Sequence, residues 1–226
     1  MIQTLDYEII LWMNQLVGSY ATLDELAVFA TGATLMKMGP LLALVVYLWA
    51  DKDAPVRRRS EIASGFFGAF LALFTARALQ EVIVRLRPLH EIESLRLPSD
   101  MLRSTLDGRS SFPSDTGTLA IAISVIVFLQ SRRLGMLAFA WSIVFVALPR
   151  LYTGLHYLSD IVGAAVLATV LVWGATRLLS PRADRLVALG ERWPGLTAMF
   201  AFLMLFAMGT MFNDVRWMGR IIVEAL

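Results

Sequence analysis

Arg150, His156 and Asp160 follow one another at the spacing R-x5-H-x3-D, between two apolar stretches that are each long enough to cross a bilayer. A membrane span rarely tolerates a guanidinium, an imidazole and a carboxylate at its mouth unless they act together, because burying each one alone is costly. On a helix, positions i and i+4 lie about 40° apart around the axis. That spacing predicts that Asp160 accepts a hydrogen bond from one ring nitrogen of His156 and leaves the other free as a nucleophile. With a guanidinium nearby to hold an anionic electrophile, the chemistry expected of such a set is attack on phosphorus through a phosphohistidine.

Two further segments carry polar groups at the ends of apolar runs. One is Gln80-Glu81-Val82-Ile83-Val84-Arg85-Leu86-Arg87-Pro88; the other is Ser111-Phe112-Pro113-Ser114-Asp115-Thr116-Gly117, where Ser114 or Asp115 reads as a helix N-cap. A helix start favours anions through its free N–H groups. A second Pro-Ser-Asp, at Pro98-Ser99-Asp100, has no apolar run behind it and reads as a decoy.

The elements that must position these residues follow from composition. The chain has 226 residues, 58% hydrophobic and 17% charged, with a mean hydropathy of +0.67. Soluble domains lie nearer 45–50% apolar and about 25% charged, so an integral membrane protein is expected. With no cysteine and two histidines, a thiolate or protein-built metal centre is not expected, and no cofactor is implied. A net charge of +2 gives no reason to expect nucleic acid as a partner.

The fold expected is all-α: a polytopic membrane helical bundle of about six transmembrane helices plus an N-terminal interfacial helix. The spans read as 34–50, 61–85, 115–131, 134–150, 156–179 and 194–212, since about 20 apolar residues cross a bilayer. A short helix at 22–32 precedes the first, and Gly39-Pro40 is expected to kink it. Residues 2–17 read as an in-plane helix anchored by Trp12. The whole, 1–226, is one integral membrane domain, with a core at 34–179, short helices at 1–33, and an added span and tail at 194–226.

Loop charge sets the orientation. Lys52, Arg57, Arg58 and Arg59, then Arg132 and Arg133, then Arg177, Arg182, Arg185 and Arg192 place three connections in the cytoplasm. The 86–114 loop and the 150–156 turn then face outward, with Arg87, Arg103, Arg109 and Arg150 there against the usual rule. Lys37 and Arg85 read as snorkelling to the nearer interface. The long 89–112 stretch reads as a lid or specificity element.

Taken together, these segments resemble the type-2 phosphatidic acid phosphatase (lipid phosphate phosphatase) superfamily, whose signatures are K-x6-R-P, P-S-G-H and S-R-x5-H-x3-D. Arg87-Pro88 matches the first, Pro113-Ser114 the second, and Arg150, His156 and Asp160 the third. The resemblance implies that His156 attacks phosphorus and that Asp160 fixes its tautomer. It also implies that Arg87, Arg150, Ser114, Asp115, Thr116 and Gln80 surround the phosphate, and that no metal is needed. Gln80 stands in place of the signature lysine, with Arg77 one turn earlier as a substitute; Pro149 replaces a serine. Thr116 replaces the histidine that serves the family as general acid, and His90 is the other histidine available for that role.

Loss of the acid bears on substrate. An alkoxide leaving group needs protonation, a service worth about 10²–10⁴-fold, whereas a departing phosphate needs little. The expectation is a lipid phosphatase favouring polyprenyl diphosphates, resembling the bacterial enzymes that act on undecaprenyl diphosphate. It is set in the inner membrane with its site facing the periplasm, and its partners are the lipid-linked phosphate and the bilayer. A phosphotransferase using such a lipid as donor, and an inactive relative that binds or moves it, are the alternatives. Oligomeric state is not legible.

Overall fold

Residues 2–99, 102 and 109–210 are described by the computed structural model. Among them every regular element is helical: α1 (Ile2–Asn14), α2 (Ala21–Gly32), α3 (Thr34–Ala50), α4 (Val56–Val82), α5 (Pro88–Glu91), α6 (Asp115–Gln130), α7 (Arg132–Ser142), α8 (Leu148–Tyr152), α9 (Leu158–Glu191) and α10 (Pro194–Gly209). A five-residue π turn, Ile143–Ala147, joins α7 to α8, so that 132–152 runs as one continuous rod. Pro149 explains the widening. Its ring cannot donate and collides with the carbonyl four residues back, and the wider turn ahead of it makes room.

Among the described residues three rods are long and apolar enough to cross a bilayer: Val56–Val82, Arg132–Tyr152 and Leu158–Arg185. A fourth is obtained if α2 and α3, bent by 64° at their junction, count as one broken span. The six expected spans are therefore not all met by length, because α6 and α10 have only 16 residues each. The bend lies between Gly32 and Thr34, so the break precedes Pro40, which sits inside an unbroken α3. The basic stretch 177–191 is not a loop either: α9 continues helically through Pro181 as far as Glu191.

The bundle is organised around α6, which is buried along nearly its whole length by α3, α4, α7 and α9. Leu119, Ile123 and Ile126 of α6 meet Met38, Leu41, Ile62 and Val172 in the main core. The longest seam runs between α4 and α9, and small residues make it possible. A Cβ on Gly68 would stand 2.8 Å from both the Leu171 carbonyl oxygen and the Val172 Cα. Close approach through small residues is the usual basis of helix association in lipid, where burial from water no longer drives packing. Gly68→Ala is expected to push the two rods apart and cost about 1–3 kcal/mol, the usual toll of overpacking. A thermal unfolding scan in detergent would read this as a lowered midpoint. Away from the seam, Phe67, Phe70 and Phe74 of α4 and Val166, Val170 and Trp173 of α9 face outward, as lipid-facing side chains should.

At one end of the bundle, backbone hydrogen bonds tie the connecting segments together. The Ser111 N–H donates to the Arg85 carbonyl (2.9 Å), Leu89 N–H to Gly154 (2.9 Å) and Ser114 N–H to Asp160 (3.3 Å). Gly154 turns the chain at φ +68°, and a Cβ there would lie 2.7 Å from Leu95 Cδ2, so the turn requires glycine. All three motif segments therefore meet at this end. The Lys52 and Arg132 turns lie at the other end of the same rods. Arg103, Asp100 of the second Pro-Ser-Asp, most of the middle of the 89–112 stretch and everything past Thr210 lie outside the described residues.

Candidate active site

His156 is not on a helix. It lies two residues before α9, in the turn that follows α8, and the expected i,i+4 hydrogen bond to Asp160 is correspondingly loose. The Nδ1 to Oδ2 distance is 3.6 Å, too long for a good hydrogen bond. Nδ1 instead lies 2.8 Å from the Ser111 carbonyl oxygen. A carbonyl only accepts, so Nδ1 carries the proton and Nε2 the lone pair. Sequence reasoning missed this partner because a backbone carbonyl 45 residues away leaves no trace in side-chain pattern.

The lone pair points at positive charge. Arg87 Nη1 lies 3.2 Å from His156 Nε2 and donates to the Leu155 carbonyl at 2.8 Å, while its Nη2 donates to the Ser110 carbonyl at 3.1 Å. Arg150 donates through Nη2 to the Thr116 hydroxyl at 2.6 Å. Both arginines are buried, and so is His156. Burial first, and then the charges of Arg87 and Arg150, lower the imidazole pKa to about 4 against the pull of Asp160. At neutral pH the ring is therefore uncharged, with its lone pair on Nε2.

On Arg87 and Arg150, three buried guanidinium nitrogens have no acceptor among the described residues: Nε of Arg87, and Nε and Nη1 of Arg150. Buried donors are nearly always satisfied, and leaving one unmet costs about 1–3 kcal/mol, more for a charged group. Two arginines with spare donors beside a neutral imidazole make a receptor for a multiply charged oxyanion.

Thr116 and Gln80, two of the three departures from the signatures, have defined contacts. Thr116 supports Arg150 through its hydroxyl. Gln80 turns its amide nitrogen onto the Pro113 carbonyl at 2.7 Å and so holds the loop that enters α6, whose Phe112–Pro113 peptide is cis. Ser114 caps α6 by accepting the Gly117 N–H at 3.2 Å, which leaves its hydroxyl proton available to a ligand. Asp115 accepts the Thr116 N–H at 2.7 Å and lies 3.8 Å from Arg77 Nη2. The first-turn N–H groups of Thr116 and Gly117 are thus met by the helix's own side chains. Positive charge at this end of α6 comes from the arginines more than from those amides. His90 sits half-buried on α5, three residues past Arg87.

Two cations differ from expectation. Lys37 does not snorkel: it is buried, and Nζ donates to the Thr31 carbonyl at the α2–α3 bend, at 2.5 Å. Arg85 does not snorkel either. It donates to Asp160 Oδ1 (2.5 Å), to Ser159 Oγ (2.7 Å) and to Asp6 Oδ2 (2.7 Å), with its guanidinium 4.4 Å over the Tyr157 ring. Burial opposes its charge, but Asp6 and Asp160 together outweigh that and raise its pKa. Asp160 also accepts the Tyr157 N–H through Oδ2 at 2.8 Å. The carboxylate is therefore fully engaged and rigid, within electrostatic reach of His156.

Comparison with known proteins gives the family. Residues 61–184 match the model of the PAP2 superfamily. The chain is 28% identical over 202 residues to a protein of Escherichia coli named lipid A 1-diphosphate synthase, covering 83% of this chain and 81% of that one. It is 26% identical over 196 residues to undecaprenyl-diphosphatase BcrC of Bacillus subtilis, covering 83% and 92%. A third relative, decaprenylphosphoryl-5-phosphoribose phosphatase of Mycolicibacterium smegmatis, is 35% identical over 108 residues, 48% of this chain and 54% of that protein. No solved structure matches. The matched stretch holds all three motif segments and the ends of the helices that carry them: the chain belongs to the PAP2 superfamily.

Proposed function

We propose that this membrane protein hydrolyses a lipid-linked phosphate, preferably a polyprenyl diphosphate, through a phosphohistidine on Nε2 of His156. The observation that carries the reading is the pair of buried arginines whose unmet donors flank a neutral imidazole, with the Nε2 lone pair facing Arg87. The phosphoryl group would lie between Arg87 and Arg150, with Ser114 donating its hydroxyl. Attack by Nε2 forms the N–P bond as the bond to the leaving oxygen breaks; the imidazole becomes cationic, and Asp160 stabilises it. Water then attacks the phosphohistidine, releasing inorganic phosphate and restoring the neutral ring. The arginines supply the positive charge for both steps, so the chemistry needs no metal. Gln80, Asp115 and Arg77 set the loop and the start of α6, and His90, three residues past Arg87, is the auxiliary histidine of this reading.

Thr116 supports the preference for a diphosphate, because a threonine hydroxyl, here directed at Asp115 Oδ1, is too weak an acid to protonate an alkoxide near neutral pH. Two relatives are named for diphosphate chemistry: the B. subtilis diphosphatase and the E. coli synthase. The synthase name favours a second reading, in which a lipid hydroxyl or phosphate captures the phosphohistidine in place of water. The clustering of basic residues at the end of the rods opposite the site supports an outward-facing site in a bacterial inner membrane. On this reading α6 and α10 also cross as short spans within a bundle of six.

Initial rates of phosphate release from undecaprenyl diphosphate, undecaprenyl phosphate and phosphatidic acid test the preference, with His156→Ala as the blank. The diphosphate is expected to be faster by about ten-fold or more, since the missing acid is worth at least that to an alkoxide leaving group. Equal rates on phosphatidic acid would refute the preference. Label passing from donor to an added lipid acceptor, without free phosphate, would replace hydrolysis with transfer.

A further inference from the structure

The N-terminal helix α1 lies outside the stretch matched to the family, yet it brings a second buried carboxylate to the catalytic one. Asp6 is 2% exposed. It accepts the Ser159 N–H at 2.9 Å, the Ser159 hydroxyl at 2.5 Å and Arg85 Nη2 at 2.7 Å. Arg85 reaches on through Nη1 to Asp160. Behind His156 there is thus one cation between two anions, Asp6–Arg85–Asp160, with a formal balance of −1.

That balance matters because the histidine must become positive during the reaction. If Arg85 were paired with Asp160 alone, the guanidinium would cancel the carboxylate's field at the ring, and the imidazolium would gain little from it. Asp6 takes up part of that positive charge on the far side. We propose that Asp6 is a positioning residue of the catalytic centre: by sharing Arg85 with Asp160 it preserves the negative charge that stabilises cationic His156, and it makes α1 part of the enzyme. The proposal rests on the phosphohistidine reading above.

α1 is also held in ways that carry no charge to the histidine, which allows docking and electrostatics to be separated. Asn14 pairs with the Arg96 backbone in both directions, at 2.7 and 3.0 Å, and the Tyr7 hydroxyl bonds Glu91, which also receives the Tyr157 hydroxyl at 2.6 Å. On the opposite face Leu5, Leu11 and Trp12 are exposed, as befits a helix lying at a lipid surface.

The test is steady-state kinetics of the full chain on undecaprenyl diphosphate in lipid–detergent micelles. The variants are Asp6→Asn, Asp6→Glu, Asn14→Ala and the double variant D6N/R85Q, with H156A as the blank. D6N is expected to lower kcat about ten-fold or more with KM little changed, because the lost charge acts on the cationic state and not on the bound ground state. D6E should retain most of the activity, and N14A should leave kcat near the wild-type value. The double variant decides the matter: removing Arg85 as well restores the −1 balance, so D6N/R85Q should turn over faster than D6N alone. A D6N enzyme with undiminished kcat overturns the proposal. So does a loss that R85Q deepens or leaves unrelieved, or one that N14A reproduces, since each describes a merely structural helix. A wild type no faster than H156A would defeat the phosphohistidine reading itself, and this proposal with it.

Discussion

His156→Ala is expected to abolish turnover, lowering kcat by about 10⁴–10⁶-fold, as removal of a covalent nucleophile does when the rest of the site is left in place. On the proposed mechanism the loss is this large because no second nucleophile beside Arg87 and Arg150 is seen among the described residues. His90 sits on α5, and the carboxylates of Asp115 and Asp160 are both occupied. The fold should tolerate the change, since the ring gives its Nδ1 proton to a single backbone carbonyl. Two measurements check it. Phosphate release from a polyprenyl diphosphate should fall to background. Rapid quenching of wild type with labelled substrate should trap protein-bound phosphate that survives base and is lost in acid, as a phosphoramidate is, and the variant should trap none. Label that stays on the variant, or that survives acid, would place the covalent step elsewhere or remove it.

Arg150→Ala is the second large effect. Arg150 arrives from α8, its Nη2 bonded to Thr116 and its Nε and Nη1 without an acceptor among the described residues. On the proposed mechanism those two donors strengthen their contacts as charge builds on the equatorial oxygens. Removing a preorganised donor of this kind costs about 10²–10³-fold in kcat. Arg150→Lys should rescue little, because an ammonium cannot present two parallel N–H groups to one phosphate. Inhibition by orthovanadate, which resembles the transferring phosphoryl group, should weaken in parallel with kcat/KM. If vanadate affinity is retained while turnover falls, Arg150 acts on something other than the phosphate.

The parts of this centre that were legible in the sequence are those set by covalent spacing. Arg150, His156 and Asp160 lie within eleven residues, Arg87-Pro88 ends a long apolar run, and Pro113-Ser114 opens another. Knowing which ends of the helices face the same way brought them together. Contacts between distant segments were not legible. The Ser111 carbonyl that sets the histidine tautomer has no side-chain signature. Arg85 reads as a snorkelling side chain until Asp6, 79 residues earlier, is found beneath it. Lys37 reads as a snorkelling residue because nothing in the sequence announces the bend that puts the Thr31 carbonyl within its reach. The apolar pattern located the rods at 56–82, 132–152 and 158–185 to within a few residues, but gave no sign that α9 continues past its apolar half as an exposed basic helix.

The π turn at 143–147 has a consequence for how the chain's residues are phased. One residue is inserted there without lengthening the rod by a full step, and each residue of a helix turns it by about 100°. The side chains beyond the turn are therefore rotated out of the azimuth that the lipid-buried half of the same rod would assign them. Arg150 lies beyond that slip, so the rod is described by two wheels, one on each side of the widened turn.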